Sequence, residues 1–113
     1  MSFKNGKNSA LLGGVSGSVE LSITNNTNFR VTLAGAVTFS FAGSTPDSEY
    51  SISILIQQDG TGSRTVSWPG NVVWPAGSPA ALSVAANAVD LVSLQTFDSG
   101  ATWYGVLIGN SFS

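Results

Sequence analysis

Apolar and polar side chains alternate along most of this chain with a period of two, the spacing of an extended strand with one face buried. Val19, Leu21 and Ile23 fall on one side, with Glu20, Ser22 and Thr24 on the other. Asn25–Asn28 reads as a turn, because Asn accepts the left-handed region and bonds its own backbone. Phe29, Val31 and Leu33 then alternate with Arg30, Thr32 and Ala34, and Val37, Phe39 and Phe41 with Thr38 and Ser40. Gly35 between these two runs predicts a tight turn or a bulge. After a loop at Gly43–Ser48, the set Tyr50, Ile52, Ile54 and Ile56 forms the clearest strand. Further extended segments are predicted over Arg64–Trp68, Val72–Trp74, Val89–Phe97 and Thr102–Ile108, the last two joined by a hairpin at Asp98-Ser99-Gly100. In that hairpin Trp103 and Tyr104 fall on opposite faces. No segment has a period near 3.6. Ala80–Asn87 is read as loop or strand, since prolines precede it.

The expectation is an all-β domain: an antiparallel β-sandwich or jelly roll of about eight short strands with a flexible N-terminal arm. Residues 1–16 are read as the arm and 17–113 as a single β-sandwich domain. The first eight residues read as a frayed terminus. In the arm, Phe3, Lys4, Lys7, Leu11 and Leu12 are the candidate partner-binding side chains.

Composition narrows the chemistry. At 113 residues there is room for one core. The chain has neither cysteine nor histidine, so disulfides, thiolate metal sites and the commonest general base are unavailable. Charged residues make up 9%, against roughly 25% in an ordinary soluble domain. A surface of Ser, Thr, Asn and Gly repels its own copies weakly, which favours life inside an assembly. Lys4 and Lys7 make the arm basic. Beyond them two arginines face six carboxylates, and this acidic body argues against nucleic acid as a partner. No apolar targeting segment follows Met1, and every apolar run is of strand length, so neither export nor membrane insertion is expected.

No constellation suited to catalysis emerges. Asp47, Asp59 and Asp98 sit in predicted turns, where Asp bonds local backbone. Asp59-Gly60-Thr61-Gly62 lacks the lysine and following helix of a phosphate loop, and one carboxylate makes a poor calcium site. Asp90 lies in an apolar run, where a charge needs a partner, and Arg64 is the expected one. Trp68, Trp74, Trp103 and Tyr104 have two readings: a sugar-stacking platform, or aromatic plugs for the ends of the fold and an oligomer interface. The proline after Trp68 and after Trp74 favours the second reading. No catalytic, metal or cofactor site is assigned.

The double Trp-Pro run belongs to a compound pattern. It comprises Ile54–Asp59, Gly62–Pro69, Val72–Pro75, Gly77–Ser83, Ala86–Asp90 and Phe97–Gly105. With these elements the chain resembles the small β domain of tailed-bacteriophage virion proteins, often found at the C-terminal end of tail fibres. The resemblance implies a non-enzymatic structural or attachment module, often trimeric, in the virion. A short arm and little beyond the domain itself lead to the expectation of a homotrimeric capsid decoration (cement) protein, made in the host cytoplasm and bound to the major capsid protein. The alternative is a tail fibre or tail-tip module that binds a host-surface glycan or receptor.

Overall fold

The computed structural model describes residues 9–23, 28–43 and 49–112. It is all-β. The strands are β1 (Ser9–Ser22), β2 (Asn28–Ala42), β3 (Tyr50–Gln58), β4 (Val66–Ser67), β5 (Val72–Val73), β6 (Val89–Thr96) and β7 (Trp103–Phe112), with a 3₁₀ turn at Pro75–Gly77. Their sheet runs β1-β2-β3-β6-β7-β5, with β4 paired to β2 off this path.

The pairing departs from the antiparallel expectation. β6 is antiparallel to both β3 and β7. β1–β2, β2–β3, β2–β4 and β5–β7 are parallel. The asparagine-rich turn expected at Asn25–Asn28 lies mostly outside the described residues, and Asn28 starts a new parallel rung. Chain reach explains how. β1 has 14 residues, and a straight strand of that length would span about 43 Å at ~3.3 Å per residue. The short connection from Ser22 to Asn28 covers at most about 21 Å. Because Asn28 pairs with Ser9 at the start of β1, the two ends of β1 must lie far closer together than a straight strand allows. Both long strands therefore bend.

The bends sit where the register slips. In β1 the slips flank Val15, beside Gly14 and Gly17, both with positive φ. In β2 the facing slip falls between Leu33 and Val37. Phe29–Leu33 and Val37–Phe41, two separate strands by sequence pattern, are thus halves of one strand bent at Gly35. The third rung follows the same course. β3 pairs with the first half of β2 and β4 with the second, and residues 59–65 make its corner. Three stacked, bent rungs explain both the parallel pairing and the seven strands found among the described residues in place of about eight.

The bends fold inward-facing side chains against one another. Leu21, Ile23, Phe29, Val31, Leu33, Val37 and Phe39 from the first two rungs are all buried. Ile52, Ile54 and Ile56 from the third rung join them, with Val92, Leu94 and Trp103 from the closing hairpin. Removal of this surface from water drives the fold at about 25 cal/mol per Å².

The expected boundary between arm and body also moves. β1 starts at Ser9, so residues 9–16 of the expected arm belong to the first rung. Leu12 packs against the core, whereas Leu11 faces outward, 72% exposed. Phe3, Lys4 and Lys7 lie outside the described residues.

Candidate binding surface

Two features of the sequence stood out as chemistry: the carboxylates and the aromatics. The structure turns three of the six carboxylates, Asp59, Asp90 and Asp98, onto the protein's own backbone. Arg64 pairs with Asp59 at 3.0 Å, not with Asp90 as the sequence suggested. The reason is local. Asp59 and Arg64 flank the third corner, and the Asp59 carboxylate also accepts the backbone N–H of Thr61 and of Gly62 at 3.1 and 3.0 Å. The Arg64 hydrogen bond first, and the Gly62 amide next, lower the Asp59 pKa from 3.8 to about 2. Gly62 has φ +77°, and a Cβ there would sit 2.7 Å from the Val84 carbonyl oxygen, so this corner requires glycine.

Gln58 completes the corner, and sequence reading missed it. Its side-chain oxygen accepts the Arg64 N–H at 2.9 Å, and its amide donates to the Arg64 and Ser83 carbonyls at 2.9 and 3.0 Å. The available signal was its position in the inward series Ile52, Ile54, Ile56, Gln58, where a polar residue must satisfy itself within the protein.

Asp90 occupies the matching inward position on β6 and is 2% exposed. Its carboxylate accepts the backbone N–H of Ser83 and, at 2.9 Å, that of Ser111. Two main-chain donors therefore take the place of the expected cation. Together Gln58 and Asp90 pin the loop at Ser83 from both sides and hold the end of β7. Asp98 serves the hairpin: it accepts Thr102 N–H at 3.0 Å and the Thr96 hydroxyl at 2.9 Å. These bonds, the Thr102 amide foremost, lower its pKa. Among the described residues no three His, Cys, Asp or Glu side chains cluster as metal ligands would, and no helix is long and apolar enough to cross a membrane.

The aromatics divide between inside and outside. Trp68 packs against Phe39 and meets Trp74 edge-on, both pairs with ring centroids 5.4 Å apart. Both tryptophans are half-buried against the core. Trp103 is buried, and its ring lies 4.9 Å from that of Phe41. Tyr104, its neighbour, points outward and is 54% exposed beside Phe97.

Tyr104 stands in an apolar stripe. Val106 and Ile108 follow it at alternate positions of β7, at 41% and 56% exposed, while Val73 flanks it on β5. With Ser93 and Gln95 from β6, these strands line an open groove of about 440 Å³ against the Trp74-Pro75 turn. The outer face of the closing hairpin is an uncharged, largely apolar surface, the kind that marks a contact site.

A bent, mixed β-sheet with internally satisfied polar corners and an apolar outer face defines a small all-β module. Over residues 15–102 the chain matches the family described as "Putative phage tail fibre C-terminal domain". This span holds most of the chain, from within β1 to the start of β7, and the protein belongs to that family. It is thus a phage structural domain of the tail fibre type. No curated protein matches it, and no solved structure does either.

Proposed function

We propose that this domain is a non-enzymatic tail fibre module that assembles as a homotrimer and binds a glycan or receptor on the host surface. The family match over residues 15–102 carries the reading, and it favours the tail over the capsid-decoration role that the sequence first suggested. The polar corners support it as well. Asp59, Asp90 and Asp98 spend their carboxylates on the protein's own backbone and on neighbouring side chains, an arrangement that stiffens a scaffold and leaves them occupied. In this reading the N-terminal side, with Phe3, Lys4, Lys7 and Leu11, contacts neighbouring virion proteins, while Leu12 anchors it to the core.

Immunogold labelling of whole particles with antibody to the domain tests the location. Gold at the distal end of tail fibres is the expected result, and gold spread over the head would restore the decoration reading. Binding of the purified domain to host cells, competed by host surface polysaccharide, tests the receptor role. Cells that adsorb the phage yet do not retain the domain would refute it.

A further inference from the structure

The outward face of β5, β6 and β7 is left without a covering layer within the described chain. Val73, Phe97, Tyr104, Val106 and Ile108 each stand 41–57% exposed there, on adjoining strands and turns. The pairing places them in rows: Val73 beside Tyr104, Tyr104 beside Gln95, and Val106 beside Ser93. We propose that this face is a self-association surface, covered by a second copy of the same chain. The inference rests on the homo-oligomeric part of the function proposed above and assigns it a location.

Charge is the first argument for a second copy. The alternate positions that share this outward side are Ser51, Ser53, Leu55 and Gln57 on β3; Val89, Leu91, Ser93 and Gln95 on β6; and Tyr104, Val106, Ile108 and Asn110 on β7. None of these residues is an Asp, Glu, Lys or Arg. Copies of this face can therefore converge about a symmetry axis with no like-charge pair, and no charge loses its water. Beyond β3 the sheet carries exposed charges, Arg30 on β2 beside Leu55 and Glu20 on β1, which would oppose themselves in a like-to-like contact and so bound the face.

Side-chain chemistry is the second argument. A saccharide would need several donors and acceptors around its hydroxyls. Val73, Val106 and Ile108 offer none, and only Ser93, Gln95 and the Tyr104 hydroxyl remain. Aliphatic and aromatic groups with a thin polar margin match the core and rim of a protein–protein contact.

Sedimentation of the 113-residue chain, alone and with Val106→Lys plus Ile108→Lys, tests the proposal. Wild type should sediment as an oligomer at micromolar concentration. The double variant should dissociate about tenfold or more readily, with unchanged tryptophan fluorescence showing that it folds. Because the chain has no cysteine, single substitutions give a second readout that tolerates poor folding of the lysine variant. Ile108→Cys should form covalently linked copies on mild oxidation, whereas Val84→Cys, 61% exposed on the loop before β6, should not. A wild-type monomer would overturn both this surface and the homotrimer. An oligomer that persists in the lysine variant, or cross-links equally through position 84, would overturn the surface and leave the homotrimer standing. A monomer that loses host-cell binding in the lysine variant would assign the face to the receptor instead.

Discussion

The rings of Phe41 and Trp103 lie 4.9 Å apart, although they come from the second strand and the last. Phe41 ends the bent second rung, and Trp103 opens β7, three strands away across the sheet. Their contact shows that the sheet folds over and closes on itself.

Removal of the Trp103 ring should therefore open the closure. Trp103 is 1% exposed, and truncation of a buried tryptophan costs about 3–5 kcal/mol. Trp103→Ala should lower the urea midpoint accordingly, and Trp103→Phe, which keeps a ring against Phe41, should lose less. Equal losses in the two variants would count against the ring contact.

Asp90→Asn tests the backbone clip. The amide keeps one acceptor and sets an NH₂ group against a main-chain N–H, leaving a buried donor unsatisfied. The expected loss is about 1–3 kcal/mol, with faster hydrogen exchange at Ser83 and Ser111. Asp90→Asn with unchanged exchange at both amides would contradict the clip. Arg64→Gln should leave those two amides protected, because Arg64 does not touch Asp90.

The Asp59 corner predicts an acid-sensitive stability. Its folded pKa of about 2 lies below the ordinary 3.8, so the native state binds this proton more weakly than the unfolded chain. The stabilisation is present above pH ~4 and is lost as pH falls towards 2. Asp98, also lowered, adds to the same trend. Unfolding midpoints measured from pH 5 to pH 2 should fall less steeply for Asp59→Asn than for wild type. Parallel slopes would contradict the assignment.

Gly62→Ala should be costly for its size. It forces a side chain into positive φ and against the Val84 carbonyl, an effect of about 1–3 kcal/mol. Thermal unfolding measures it. Gly60→Ala, where an added Cβ meets nothing within 4 Å, serves as the control.

Several local features were legible without the structure. Alternation over Tyr50–Ile56 and Val89–Phe97 located β3 and β6, and Asp98-Ser99-Gly100 marked the β6–β7 hairpin. The misfit of Asp90 in an apolar run was a true signal of a satisfied buried carboxylate. Its partner was not legible, because Ser83 and Ser111 contribute main-chain amides, and every residue except proline carries one. Gln58 showed only in its register, a polar residue in line with three buried isoleucines.

Strand periodicity, the single small core and the family were determined by the sequence, because they depend on neighbours a few residues apart or on a linear pattern. The parallel rungs, the Arg64–Asp59 pair and the outward apolar face were decided by tertiary structure. A bulge in the alternation signals that a strand is interrupted, but it does not say whether the chain turns back beside itself or bends across a core. That choice depends on side chains such as Phe41 and Trp103, more than sixty positions apart in sequence, which meet only once all three rungs have stacked.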